Sequence, residues 1–274
     1  MRDLIKLQYV NHINERVDIG SGGIYAGSSD LRDYTWSMEQ RGNKISRLYR
    51  DVATRTLPVI ITAPTRSEAY QIRNRLFEVV EKDVLSMQPG KLICGKSYYQ
   101  CYVTESKKPS YWKSPLNLVV ELTLTTDRPV WVTESQYSFS PQGGNDGYLD
   151  FPFDFPFDFK SSAMINTLSN PGFVATDFRM DIFGGCTNPQ ITINGHVYAV
   201  EAEVETGEYL TIDSAKKTIV KTAQNGEKTN LFNSRNKESY VFEQIPAGAN
   251  AVTWDGSFNF GVTILEERSE PKWI

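Results

Sequence analysis

Cysteine and histidine are scarce in this chain: three and two, respectively, in 274 residues. Three thiols cannot all pair within one chain, and so few in so long a protein exclude a disulfide framework; Cys94, Cys101 and Cys186 are expected to be free and to serve as small apolar residues. The two histidines, His12 and His196, fall in different predicted domains, with no carboxylate or nucleophile placed beside either by the sequence pattern. Both read as surface or edge residues. No apolar run approaches the ~18 residues that announce a membrane-spanning helix. The opening MRDLIKLQYVNH also lacks the apolar stretch and small-residue cleavage site of a secretory signal, so synthesis in the cytosol is expected.

Catalytic signatures are missing as well. There is no G-x-S-x-G elbow, no phosphate loop ending in Gly-Lys-Ser/Thr and no H-E-x-x-H. The Gly20-Ser21-Gly22-Gly23 stretch is not followed by a helical pattern and reads as a loop. Cys94 and Cys101 have no second Cys/His pair within zinc spacing, and Asp154 with Asp158 do not make a calcium cage. No catalytic residue, metal or cofactor is therefore assigned. Charge of one sign is also lacking. Residues 1–150 hold 19 basic against 17 acidic side chains and residues 151–274 hold 10 against 16, neither of which gives the strongly basic face of a protein that grips nucleic acid.

What the chain does have is 40% hydrophobic residues and 33 aromatics, enough to build cores, and a length that favours two domains. Residues 65–82 read as a helix, with Ala69, Ile72, Leu76, Val79 and Val80 at the spacing of a buried stripe. Thr65 and Glu68 fit a capping box at its start. Residues 57–62, 98–104 and 116–126 carry the β-branched and aromatic content of strands, so the first half is mostly β with one helix.

Turn signals organise the second half. Asn194-Gly195, Asn225-Gly226 and Asp255-Gly256 each separate two strand-like runs, the pattern of tight hairpins recurring in an antiparallel sandwich with little or no helix. Between the halves runs FPFDFPFDF. Its prolines favour extended backbone, placing Phe151, Phe153, Phe155, Phe157 and Phe159 on one face and Asp154 and Asp158 on the other; a packed linker is expected. The expected division is a first domain over 1–145, a linker over 146–160 and a second domain over 161–274.

Three surface features stand out. Glu201, Glu203, Glu205 and Glu208 read as the solvated face of a strand rather than a general acid and base. Arg41, Lys44, Arg47, Arg50 and Arg55, with Tyr49, read as a loop or hairpin that meets an acidic neighbour in an assembly. Tyr209 and Trp254 are candidates for stacking on a sugar or meeting a partner, with a core role for Trp254 as the alternative.

The order of these elements resembles the distal tail proteins of siphophages, the hub of the tail tip. The resemblance rests on the helix over 65–82, Gly90-Lys91-Leu92 with Tyr99-Gln100-Cys101-Tyr102-Val103, and Asp127-Arg128-Pro129-Val130-Trp131. It continues through the Phe-Pro-Phe-Asp repeat, Asn170-Pro171-Gly172-Phe173, Asn188-Pro189-Gln190-Ile191 and residues 207–213 (GEYLTID). It ends with residues 242–248 (FEQIPAG) and 266–273 (EERSEPKW). It implies a tail-tube-like β-sandwich with a flanking helix, six copies of which close into a ring, and a galectin-like C-terminal sandwich outside it. It further implies a virion tail-tip location. The implied neighbours are the tail tube protein, a tail-associated lysin or tip protein, and receptor-binding proteins or host-wall saccharide. DNA would pass through the bore without specific binding, and no membrane or reaction is implied. A carbohydrate-binding adhesion module is the alternative.

Overall fold

The computed structural model describes residues 7–27, 29–109, 116–141 and 167–272. The phenylalanine-rich linker over 146–160, with Phe151, Phe153, Phe155, Phe157 and Phe159, lies outside the described residues. The chain forms two compact units, one comprising Met1–Thr133 with Glu267–Ile274 and the other Glu134–Glu266. The sequence reading assigned all of 161–274 to the second domain, whereas here the segment from Glu267 belongs with the first unit. Its ties are specific: Arg128 pairs with Glu267, Arg50 Nη2 donates to Ser269 Oγ at 3.1 Å, and Arg32 Nη1 donates to the Pro271 carbonyl at 3.2 Å.

In chain order the first unit contains β1 (Leu7–Val10), β2 (Arg16–Ile19), β3 (Ile24–Ala26), β4 (Ser37–Arg41), β5 (Lys44–Tyr49), β6 (Ala53–Thr62) and α1 (Arg66–Ser86). Then come β7 (Gly90–Cys94), β8 (Ser97–Lys107), β9 (Asn117–Thr126) and the start of β10 (Trp131–Phe139). One sheet runs β2-β1-β7-β8 and a second runs β3-β6-β9-β8, all antiparallel. β8 serves both, and the register slips between Val103 and Glu105, the extra residue of a bulge that bends the strand from one sheet toward the other.

The alternation of β9, NLVVELTLTT, puts Leu118, Val120, Leu122 and Leu124 inside, where they meet Leu57, Val59 and Ile61 of β6. The helix closes this core with Ala69, Leu76, Val79 and Val80. At about 1.5 to 3 kcal/mol for each large aliphatic side chain removed from water, this stripe holds the helix on the sheet. Thr65 caps its start as expected, its hydroxyl accepting from the Glu68 amide at 3.2 Å. The helix runs four residues beyond the expected Lys82, to Ser86, and is capped by Met87 in the left-handed region (φ 51°), whose amide bonds back to Val84. The extension was hidden because Asp83, a charged residue, occupies a fully buried position in the stripe.

The second unit contains the remainder of β10, β11 (Thr167–Asn170), β12 (Phe178–Phe183), β13 (Cys186–Thr187), β14 (Gln190–Ile193), β15 (His196–Ala199) and β16 (Glu203–Val204). It continues with β17 (Tyr209–Asp213), β18 (Thr218–Thr222), β19 (Lys228–Asn230), β20 (Gly248–Trp254) and β21 (Phe260–Arg268), the last running two residues past the unit boundary. Its larger sheet is ordered β19-β18-β17-β12-β21 and the opposing sheet β11-β20-β14-β15. The core between them includes Phe178, Met180, Ile191, Tyr198, Leu210, Val252 and Phe260. This is the expected antiparallel sandwich, with only a 3-10 turn at Phe232–Ser234 among its described residues.

Asn194-Gly195 makes the expected two-residue hairpin, both residues at positive φ (50° and 81°). Asp255-Gly256 does not, because β20 and β21 lie in different sheets. The turn carries the chain across the sandwich rather than back along one sheet.

Candidate interaction surface

The most conspicuous surface element is the hairpin of β4 and β5. Among the described residues these strands pair only with each other. Gly42, at φ 62°, begins the two-residue turn between Arg41 and Lys44. Met38 pairs with Leu48, Glu39 with Arg47 and Gln40 with Ile45, leaving Ser46 as the extra residue of a bulge; its hydroxyl donates to the Glu39 carbonyl at 3.0 Å. That extra residue has a consequence for the faces. Without it the two-residue period would put Ile45 on the side opposite Leu48, and with it Met38, Ile45 and Leu48 share one face. All three are exposed, at 55%, 58% and 57%. At the base of the hairpin Trp36, 43% exposed, lies under the Arg50 guanidinium at 4.2 Å.

The other face is polar. Arg47 lies 3.7 Å from Glu39 and over the Tyr49 ring at 5.2 Å, and Arg41 and Lys44 stand at the tip. The basic residues grouped by the sequence reading thus include a hairpin, but not one patch: Arg55 lies on β6 and donates to the Asp33 carbonyl at 2.5 Å. The apolar face was missed in the sequence because the bulge breaks the alternation that would have revealed it.

An open cleft of about 210 Å³ at the hairpin base is lined by Tyr34, Ser37, Arg50, Asp51 and Arg55, among others. A second, of about 350 Å³, is lined in part by Arg16, Asp18, Gln71 and Arg75. At the first, the Ser37 hydroxyl donates to Asp51 Oδ2 at 2.6 Å, an exposed serine–carboxylate contact with no histidine among the residues that line the cleft. Among the described residues no group of three or more His, Cys, Asp or Glu is placed to hold a metal ion.

The other sequence candidates are dispersed. Trp254, half-buried, packs edge-on against Phe260 at 5.2 Å and Phe139 at 6.0 Å, and its indole N–H donates to the Phe258 carbonyl at 3.2 Å. Tyr209 begins β17, in the opposite sheet from Trp254, paired with Phe183 and Thr222. Glu201, Glu203 and Glu205 are exposed, and the strand they were thought to share is only two residues long; Glu208 instead accepts from the Glu205 amide and from Lys221 Nζ, both at 3.0 Å. Those contacts, the amide first, hold its carboxyl below the usual range.

His196 is an edge residue that contacts the Tyr240 carbonyl at 2.9 Å. His12 is more than that. Its Nδ1 lies 2.6 Å from Oδ1 of buried Asp83, whose other oxygen accepts from the Tyr9 hydroxyl at 2.7 Å, so the histidine has the carboxylate partner that sequence distance concealed. The three cysteines are free; Cys101 and Cys186 are buried and Cys94 is half-buried.

No protein-family model matches the chain, and no curated protein matches it by sequence. Solved structures do. The SPP1 Dit protein, described as a paradigm of the hub adsorption apparatus in phages infecting Gram-positive hosts, aligns over 96% of this chain and 99% of its own, with a TM-score of 0.57 at 9% identity. A chain of the phage P2 baseplate in its activated conformation with calcium aligns over 97% and 99%, with a TM-score of 0.64 at 12% identity. The strontium form of that baseplate aligns with a TM-score of 0.65, also at 12% identity. The likeness embraces both units, and the chain therefore has the fold of the siphophage distal tail protein, as its motifs imply.

Proposed function

We propose that this chain is the structural hub of a siphophage tail tip and acts by assembly rather than by chemistry. Six copies close into a ring through the first unit. One ring face meets the tail tube protein and the other a tail-associated lysin or tip protein. The second unit, read as a galectin-like sandwich, is carried outside the ring, where receptor-binding proteins or the host wall are met. The protein resides in the virion after assembly in the host cytoplasm.

The observation that carries this reading is likeness over essentially the whole length of two tail-tip proteins, one named a hub and the other a baseplate component. A shared fold at such low identity does not by itself transfer a role. The hairpin adds support: a two-stranded ribbon with a bare apolar face is poorly stable alone in water, and an assembly would cover it. A carbohydrate-binding module is the weaker reading, since the Trp254 ring is engaged by Phe139 and Phe260. Negative-stain imaging of the concentrated full chain, alone and with the tail tube protein, tests the hub reading. Six-fold rings are expected, and single particles under both conditions would overturn it.

A further inference from the structure

We propose that the cleft at the hairpin base binds one small oxyanion, a carboxylate or a phosphate group, gripped between Arg50 and Arg55. This site is independent of the hub role. Both guanidinium groups line the cleft, both are half-buried, and among the described residues neither forms an ion pair. Arg50 uses one hydrogen bond on Ser269 Oγ, and Arg55 uses two on the Thr54 and Asp33 carbonyls, so most N–H donors of each fork remain for a ligand. The carboxylates at hand are engaged elsewhere. Asp51, on the cleft wall, accepts from the Ser37 hydroxyl at 2.6 Å, and Glu267, whose charge reaches Arg50, is paired with Arg128. The lining therefore carries two cations against one carboxylate.

A half-buried cation without a counter-charge is unfavourable, and burial already lowers the Arg50 pKa, with Glu267 only opposing the shift. An anion entering the cleft relieves this. The Arg50 fork is also held ready for it: the guanidinium lies over the Trp36 ring at 4.2 Å while Nη2 donates to Ser269, so binding freezes little that is mobile. Size selects the ligand. At about 210 Å³ the cleft falls below the roughly 300–1,000 Å³ of pockets for drug-sized molecules, which leaves out a nucleotide or an oligosaccharide and suits a single anionic group. Carboxylate and phosphate both match the guanidinium fork. Once bound, the anion ties the end of the hairpin at Arg50, β6 at Arg55 and the returning segment at Ser269 into one network.

The test is titration of the full chain with inorganic phosphate and, separately, with succinate at constant ionic strength, read by melting temperature. A saturable rise is expected, and the ion that produces it names the group. Arg50→Gln and Arg55→Gln should each weaken the apparent affinity about tenfold or more, and Arg50→Lys should fall between, because a point charge replaces the fork. Arg47→Gln, on the hairpin but outside the cleft, should leave the response unchanged and so separates the site from general attraction to basic surface. Arg50→Gln with Arg55→Gln reports the stabilisation that an excluded salt gives any fold. Calorimetric titration of the parent with each ion measures binding directly, whether or not the variants fold. A rise as large in the double variant as in the parent, or no saturable response and no heat with either ion, would overturn the site and leave the hub reading intact.

Discussion

The Tyr9 hydroxyl donates to Asp83 Oδ2 at 2.7 Å, joining β1 to the last turn of α1 through a carboxylate with no exposed surface. Asp83 is satisfied from several directions, since its Oδ1 accepts from the His12 amide at 2.8 Å and lies against the His12 ring. Burial of the phenol, together with the adjoining Cys101 and Asp83, raises the Tyr9 pKa far beyond its ordinary value, so the hydroxyl stays a donor. A buried carboxylate held this way fixes where α1 sits on the sheet, because removing any partner leaves an unpaired polar atom in the core.

Tyr9→Phe should cost about 1 to 3 kcal/mol, the usual penalty for stranding a buried polar partner. Chemical denaturation of the parent and variant measures it. An unchanged midpoint would show that the bond contributes nothing to stability.

Gly90 faces this pair. A methyl built on its Cα would overlap both the Asp83 carboxylate and the Tyr9 phenol, although its backbone is not in the left-handed region. Gly90→Ala should therefore destabilise the first unit by about 1 to 3 kcal/mol, the usual cost of overpacking, and in combination with Tyr9→Phe should cost less than the sum of the two. Additive effects in a double-mutant cycle would contradict the crowding argument.

Much of this was legible in the sequence, and the failures have specific causes. The Thr65 cap, the Leu76 and Val79 stripe, the β9 alternation and the Asn194-Gly195 hairpin are local patterns set by one element's own residues. Asp83 was not legible because its partners, Tyr9 and His12, lie over 70 positions away. Asp255-Gly256 looks like a hairpin turn from either side, and only the pairing of β20 with β14 and β11 shows that it crosses between sheets. The hairpin's apolar face was concealed by a single bulged residue, Ser46. The tie of Glu267 to Arg128 is a long-range ion pair with no local signal.

That tie bears on dissection of the chain. A fragment ending at residue 145 lacks the Glu267–Arg268 end of β21 and the contacts of Ser269 and Pro271, and should melt below the first unit of the intact chain. Joining residues 1–133 to 267–274 through a short flexible linker should recover part of the loss. Equal melting of both fragments would show that the returning segment is not stabilising.

Thiol reactivity should follow burial. Cys101 is fully buried, and that burial pushes its pKa up to about 12; burial raises Cys94 and Cys186 as well. Alkylation of the native chain near pH 8 should leave Cys101 unmodified, whereas denaturing, non-reducing conditions should add three groups by intact mass. One addition after denaturation would reveal a disulfide.

Glu208 provides a pH test. Its carboxyl lies below its ordinary value of 4.5 because of the Glu205 amide and Lys221, so the folded state binds a proton less readily than the unfolded one. The resulting stability is present above about pH 4.5 and is lost as pH falls through the lowered folded-state value. Glu208→Gln should therefore be less stable than the parent at neutral pH, with the gap closing in acid. A gap that stays constant with pH would rule out this linkage.

The most direct test of the assembly account is native mass spectrometry of the full-length chain over a range of concentrations, alone and with the tail tube protein. The account predicts a dominant species of six times the 31.1 kDa chain mass. A parent chain that remains a monomer at every concentration, with and without the tube protein, would contradict it.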